Sequence, residues 1–252
     1  MSWAATLGRL ALRIGTALCV VAIPVALVCA NVRLVALDRS FYLAGFARYG
    51  GAAAVGLSAD EQRTVADTFI AYFLGPPGRL DVQLAREGTL RPLFNEREIQ
   101  HMADVQALMQ LVFGLGTWAL GYIVVWVLAS AVVLRGGFRP LLARVLVASA
   151  VLTLAAMVMV GALALVDFDA LFLRFHFLAF DNDLWQLDPA RDNLIRLFPA
   201  GFWFEAALRV LVLTVVEALA LGSAGVLGWW LTRERRRAAR PTPAPRPATT
   251  QS

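Results

Sequence analysis

Four apolar runs constrain this chain more than any other feature of its sequence. They cover roughly residues 13–37, 106–134, 141–166 and 202–231. A helix needs about 20 mainly apolar residues to cross the hydrocarbon core of a bilayer, and 59% of all residues are hydrophobic. The sequence therefore predicts an all-α integral membrane protein, a bundle of four transmembrane helices.

The basic residues predict how this bundle is oriented. All 23 are arginines, and they cluster at three flanks of the apolar runs, including Arg9 and Arg13, then Arg135, Arg139 and Arg144, then Arg233 onward. The positive-inside rule assigns these flanks, and with them both termini, to the cytoplasm. Clustering at membrane flanks does not favour a nucleic-acid groove, so we expect no nucleic-acid partner.

The two remaining connections, residues 38–103 and 167–201, should form a small extracytoplasmic cap. Ser58 and Glu61 have the spacing of a capping box, and an amphipathic helix follows whose apolar stripe is Val65, Phe69, Tyr72 and Phe73. Residues 80–92 alternate apolar and polar side chains around a Glu87-Gly88 turn and end at a proline, which favours a short β-hairpin. The predicted domain thus covers residues 1–232, and the Arg/Pro-rich stretch 233–252 reads as a disordered cytoplasmic tail.

Only two histidines are present, and the first lies at the entry to the second run. In the stretch 94–108, FNEREIQHMADVQAL, Glu98, His101 and Asp104 are three apart and share one helix face. Asn95 is placed to cap the helix with Glu98 in the reciprocal position. Glu98 is therefore either a helix cap or an orienting partner of His101.

His176 lies in a strongly apolar stretch, LFLRFHFLAF, before a series of aspartates. If residues 172–180 are helical, we expect the imidazole to be surrounded by apolar side chains: Phe172, Phe175, Leu178 and Phe180. A short surface helix should follow, with Leu194, Ile195 and Phe198 turned inward. The aromatic side chains of Trp185, Phe202 and Trp203 fit an interfacial belt.

Glu205 and Arg209 have the spacing of an ion pair at a helix end. Glu217 lies near the middle of the fourth run, where a carboxylate is costly and is a candidate functional group. Its sequence neighbours offer no certain partner, and a protonated packing role is equally consistent with its position.

The motifs favour acid/base chemistry by the two histidines, which the topology puts on one side of the membrane. The chain has no HExxH, cysteine pair, GxSxG or glycine-rich phosphate loop, so we expect no metal and no cofactor. A histidine is suited to remove or donate a proton near neutral pH.

Two segments, EREIQHMADV and FHFLAFDNDLWQLDPARDNLIRLFP, closely resemble the lipoprotein intramolecular transacylase (Lit) family of bacterial membrane proteins. The resemblance implies an acyltransferase of the bacterial cytoplasmic membrane with its active site on the extracytoplasmic side. It implies movement of the sn-2 acyl chain of a diacylglyceryl-cysteine lipoprotein to the α-amino group of the same cysteine, giving a lyso-form lipoprotein. Diacylated lipoproteins and membrane phospholipid are then the partners.

The family motif histidines fall on His101 and His176, the expected catalytic residues. Candidate orienting or substrate-contacting residues are Glu98, Asp104, Tyr72, Asp181, Asp183 and Trp185. We expect His101 to remove the amine proton and His176 to act as donor or oxyanion stabiliser, although the reverse is open, without a covalent acyl-enzyme. The alternative is a non-enzymatic membrane module whose two outer-face histidines bind haem, a metal or a partner.

Overall fold

The computed structural model describes residues 3–86 and 88–238. In chain order the described elements are helices α1 (Trp3–Ala36), α2 (Arg39–Arg48), α3 (Gly51–Ala54) and α4 (Ala59–Leu74), strands β1 (Gln83–Arg86) and β2 (Thr89–Pro92), and helices α5 (Glu96–Leu134), α6 (Phe138–Val166), α7 (Phe168–Ala179), α8 (Asn193–Leu197) and α9 (Ala200–Ala238). The four apolar runs thus lie in α1, α5, α6 and α9.

These four long helices pack together as one bundle. α1 lies along α5, α6 lies along α9, and α1 also contacts both α6 and α9. A 3₁₀ turn at Arg135–Gly137 joins α5 to α6. Three described stretches are long and apolar enough to cross a membrane, Thr6–Ala36, Glu96–Val166 and Ala200–Glu234, of which the second contains both α5 and α6. The apolar helices are confirmed, while the number of crossings stays a prediction.

The predicted parts of the cap are present. The Ser58–Glu61 capping box starts α4, and the stripe residues Val65, Phe69 and Phe73 are buried. β1 and β2 pair antiparallel with Arg86 opposite Thr89, and Gly88 in the turn has a φ of +80°, a conformation that glycine adopts without steric cost.

The predicted cap segment 38–103 also contains α2 and α3, two helices that the sequence did not predict. The ring of Phe46 on α2 lies 5.5 Å from that of Phe198, and the ring of Phe41 lies 4.8 Å from that of Phe202. These partners follow about 150 residues later in the chain, so α2 is stabilised by packing that no local pattern reveals. Phe202 is 3% exposed, and its predicted place in an interfacial belt is wrong.

The cap core fixes the elements that wall the site described below. Phe69 on α4 packs 5.1 Å from Phe198, which follows α8 and leads into α9. Leu197 at the end of α8 is fully buried in the same cluster. The cluster therefore anchors α8 and the start of α9 to α2 and α4, and close aromatic packing of this kind adds about 0.5–1.5 kcal/mol per pair beyond burial.

The C-terminal helix extends beyond the predicted domain boundary. α9 continues to Ala238, whereas the disordered tail was expected to begin at residue 233. Arginine and alanine are good helix formers, so the helix continues until the proline-rich sequence begins. Residues 239–252 of the predicted tail lie outside the described residues.

Candidate active site

A cavity of about 650 Å³ opens at the cap end of the bundle, and both histidines line it. Its wall is mainly apolar and comes from α7, α8, the start of α9 and the connection between α7 and α8. The remaining lining residues are Asp169, Phe172, Leu173, Phe177, Trp185, Gln186, Leu187, Leu194, Ile195, Phe198, Ala200 and Trp203. A pocket of this size with few polar groups suits an apolar ligand.

His101 lies in the second turn of α5, at the end of that helix opposite the Arg135–Gly137 turn. The side chain is 7% exposed. Its ring centroid is 6.3 Å from that of His176 and 5.1 Å from that of Phe180. The Nδ1 atom of His101 is buried and has no hydrogen-bond partner among the described residues.

His176 lies in the last turn of α7, and its environment fixes its tautomer. Its Nδ1 is 2.7 Å from the backbone oxygen of Phe172. A carbonyl oxygen only accepts, so Nδ1 carries the proton in the neutral ring and Nε2 keeps a lone pair. Burial lowers the pKa of His176, and the hydrogen bond to Phe172 opposes this only in part.

Aromatic rings surround His176 much as the sequence predicted. The rings of Phe172, Phe175 and Phe180 lie 4.4, 5.4 and 5.7 Å from it, and the ring of Trp185 lies 5.0 Å away. Leu178 does not take part, because it is 89% exposed on the opposite side of α7. The neutral imidazole therefore faces a mainly apolar space.

Glu98 is a helix cap and a tie between distant segments. One carboxylate oxygen accepts from the backbone N–H of Asn95 at 2.7 Å, completing the predicted capping box, and the other accepts from the backbone N–H of Leu194. Glu98 is 1% exposed. One oxygen thus caps α5 and the other ties α5 to α8, and the structure brings neither of them to His101.

Two side chains of α5 hold the connection between α7 and α8. The Asn182 amide donates to the Asp104 carboxylate at 2.9 Å, and the guanidinium of Arg97 donates to the backbone oxygen of Asp183. The Asp183 carboxylate itself accepts from the Gln186 amide, and Asp181 is exposed. Asp104, Asp183 and Trp185 are therefore brought to one side of the site, whereas Asp181 makes no such contact in the described structure.

Tyr72 lies on α4 and is not part of the cavity wall. Its hydroxyl donates to the backbone oxygen of Gly78 at 3.2 Å. Its own backbone oxygen accepts from the buried amide of Gln106 at 2.6 Å. Burial raises the pKa of Tyr72, and the nearby charge of Asp104 adds to this. Its geometry is that of a residue that fixes α4 to α5.

Several polar residues near the site were not among the sequence candidates. Arg97 and Gln106 are the main ones, together with Asp192, which is 1% exposed and accepts from the Asn95 amide at 2.8 Å. The only available signal was their position on the polar side of a membrane-entering helix or in a turn, which is common to many solvated residues.

Glu217 has a partner that its neighbours in sequence did not reveal. The Asn31 amide on α1 donates to the Glu217 carboxylate at 2.8 Å and to the Thr214 hydroxyl at 3.1 Å. This cluster joins α1 to α9 and contributes no residue to the cavity wall. The predicted Glu205–Arg209 pair is confirmed at 3.2 Å.

The residues at the cavity can supply acid/base chemistry. Within residues 3–86 and 88–238, no group of three or more histidine, cysteine or acidic side chains is arranged to hold a metal ion. Two neutral imidazoles on one apolar wall can instead exchange protons with a bound substrate.

A family model and solved structures match the chain. Residues 17–203 match the model of lipoprotein intramolecular transacylase Lit. The in meso structure of membrane-integral Lit from Bacillus cereus superposes with a TM-score of 0.71 at 17% identity, covering 90% of this chain and 98% of that one. A variant of that protein with a histidine replaced by alanine gives 0.67 at 18% identity, covering 92% and 99%. At these identities the likeness establishes the shared fold.

An uncharacterized protein from Aquifex aeolicus (strain VF5) is 25% identical over 173 residues, which cover 69% of this chain and 75% of that protein. The family model covers well over half of the chain and includes both histidines of the cavity. The chain therefore belongs to the lipoprotein intramolecular transacylase family and is an acyltransferase.

Proposed function

We propose that the chain transfers the sn-2 acyl chain of a diacylglyceryl-modified N-terminal cysteine to the α-amino group of that cysteine, giving a lyso-form lipoprotein. The observation that carries this proposal is the pair of imidazoles, 6.3 Å apart, in the wall of one largely apolar cavity. The apolar lining suits an acyl chain, and the histidines suit the proton transfers of aminolysis. Both reacting groups belong to one substrate, so positioning provides much of the rate.

His176 is the proposed base. Its Nδ1–H is committed to the Phe172 carbonyl, which leaves Nε2 with a lone pair for the amine proton. An α-amine with a pKa of about 8 is mostly protonated at neutral pH and needs such a base to become a nucleophile. This reverses the role first expected from the sequence, which left both assignments open.

His101 is the proposed hydrogen-bond donor to the oxyanion, and the proton that His176 takes from the amine passes to the departing glycerol oxygen. Its Nδ1 is buried and has no partner in the part of the chain that the structure describes, and a buried N–H without an acceptor is less tolerated than an unused lone pair. The proton is then on Nε2, which donates to the developing negative charge. Attack by the free amine needs no acyl-enzyme intermediate.

The proposed topology has four spans with both termini in the cytoplasm. α5 and α6 contain 39 and 29 residues, so each exceeds the roughly 20 residues that one crossing requires. The Arg135–Gly137 turn then lies on the arginine-rich inner side, and the cavity faces outward, where diacylated lipoproteins are anchored.

Mass spectrometry of lipoprotein N-terminal peptides from cells making this protein tests the reaction. We expect N-acylated lyso-form peptides in cells with the parent protein and diacylated peptides with a free amine for His176→Ala. The exposed Arg63, paired with Asp60 on α4, offers a control in Arg63→Gln, which should behave like the parent. Lyso-form production that persists in both His101→Ala and His176→Ala would contradict the proposal.

Glutamine variants test the two roles separately. A glutamine amide can donate a hydrogen bond near the position of Nε2 but cannot remove a proton. We therefore expect His101→Gln to keep part of the activity that His101→Ala loses, about 10²–10³-fold for an oxyanion donor. His176→Gln should be as inactive as His176→Ala. The opposite pattern would make His101 the base and His176 the donor to the oxyanion.

A Soret band in the purified protein would favour the alternative in which the two histidines bind haem.

A further inference from the structure

We propose that Arg97 is a positioning residue: together with Asp104 it holds residues 182–186 against α5, so that Trp185 covers His176 and keeps water from the reacting ester. This inference rests on the proposed function and adds to it a control of the competing reaction with water. The geometry that supports it lies beside the two histidines.

Arg97 and Asp104 flank His101 on α5, four residues before it and three after it, so the three side chains share one helix face. The Arg97 guanidinium donates to the backbone oxygen of Asp183, and Asp104 accepts from the Asn182 amide at 2.9 Å. Two consecutive residues of the connection are thus fixed to α5 on either side of one imidazole.

Arg97 is not arranged as an ordinary solvated arginine. The side chain as a whole is partly exposed, but its Nε is buried without a hydrogen-bond partner in the described part of the chain. Burying an unsatisfied guanidinium N–H is unfavourable. The charge-assisted bond to the backbone oxygen of Asp183 is the hydrogen bond that the described structure gives this guanidinium in return.

The fixed segment places an indole over the proposed base. The backbone N–H of Leu184 donates to the Asn182 side chain at 3.0 Å, and the Gln186 amide donates to the Asp183 carboxylate at 2.9 Å, so the segment is also stiffened internally. The ring of Trp185, two residues after Asp183, lies 5.0 Å from that of His176. Movement of Asp183 would therefore move the wall of the cavity at His176.

Water is a competitor for the ester in this reaction. If water reaches the carbonyl carbon, its oxygen bonds to that carbon, the ester bond to glycerol breaks, and the water proton passes to the glycerol oxygen. The products are a free fatty acid and a lyso-lipoprotein that keeps its free amine. Excluding water from the site favours transfer over hydrolysis.

The test uses the full-length protein in lipid nanodiscs with a synthetic diacylated lipopeptide. Mass spectrometry counts the N-acylated product and the hydrolysed product with a free amine. We expect the hydrolysis-to-transfer ratio to rise about tenfold in Arg97→Met, equivalent to about 1.4 kcal/mol between the two barriers. Arg97→Lys should restore part of the difference, and Trp185→Ala should raise the ratio as Arg97→Met does.

Asp104 provides a matched pair of variants that does not depend on the folding of Arg97→Met. Asp104→Asn keeps an oxygen for the Asn182 amide and should keep the ratio near that of the parent, whereas Asp104→Ala removes the bond and should raise the ratio. Arg63→Gln on the exposed face of α4 is the control for loss of a surface guanidinium.

The inference is overturned if the hydrolysis-to-transfer ratio is unchanged in Arg97→Met and Asp104→Ala and their activity falls only as far as their thermal stability falls. Arg97 would then be a structural residue. If the parent protein forms no N-acylated product at all, the proposed function fails instead. The two failures are therefore distinguishable.

Discussion

Replacing Glu98 with alanine should lower thermal stability far more than it lowers the rate of acyl transfer. The carboxylate accepts from the N–H of Asn95 at the start of α5 and from the N–H of Leu194 in α8. Loss of the capping interaction costs about 1 kcal/mol. The Leu194 N–H, bonded to a side chain that is 1% exposed, would lose its acceptor at a cost of about 1–3 kcal/mol.

The expected total is a destabilisation of about 2–4 kcal/mol for Glu98→Ala. In a domain of about 150–250 residues, each kcal/mol shifts Tm by about 2–4 °C, so a fall of about 4–16 °C is expected. The measurement is tryptophan fluorescence during heating in one detergent at one scan rate. Glu96→Ala is the control, because Glu96 is 59% exposed in a surface pair with Arg79 worth less than about 1 kcal/mol.

Activity decides between the two roles that the sequence left open for Glu98. Measured well below both Tm values, kcat/KM of Glu98→Ala should fall by less than tenfold, because neither carboxylate oxygen reaches His101. An unchanged Tm combined with a loss of about a hundredfold in kcat would refute this reasoning and make Glu98 an orienting residue.

Burial lowers the pKa of His176, so the neutral base persists into more acidic solution. Because this base takes its proton from the ammonium form of the substrate, log(kcat/KM) should be level between about 6.5 and 8, fall below that range as His176 is protonated, and fall above it as the free amine loses its proton. An acid limb that begins above about 6.5 would contradict this. Asn31→Leu leaves Glu217 without its 2.8 Å donor within an apolar run and should lower the Tm by the equivalent of about 1–3 kcal/mol, whereas Glu217→Gln keeps an acceptor and should lower it less. At Gly116 a Cβ would lie 2.7 Å from an α1 side chain, so Gly116→Ala should destabilise the protein by about 1–3 kcal/mol. Gly121→Ala is the control and should leave stability unchanged, because a Cβ there would have nothing within 4 Å. Equal Tm values for the two variants would argue against close packing of α1 on α5.

Local sequence patterns were sufficient for most elements of this fold. The capping boxes at Ser58 and Asn95 and the hairpin turn depend on residues within four positions of one another, the apolar runs depend on consecutive residues of one segment, and all are present. The sequence also identified both cavity histidines as candidates, since they are the only two in the chain and the predicted topology puts them on one side of the membrane. Local patterns did not predict α2, because this helix depends on aromatic partners about 150 residues later in the chain.

The tertiary structure alone decided which groups meet. It pairs Glu98 with Leu194, Arg97 with Asp183 and Asn31 with Glu217, contacts that span 86 to 186 residues of chain. Sequence periodicity carries no information about such pairs, because it records only which face of its own element a side chain occupies. The bond from Leu194 to Glu98, which leaves neither Glu98 oxygen for His101, and the proposal that His176 is a base with a free Nε2 therefore required the packed structure, in which burial forces each polar group to find a partner.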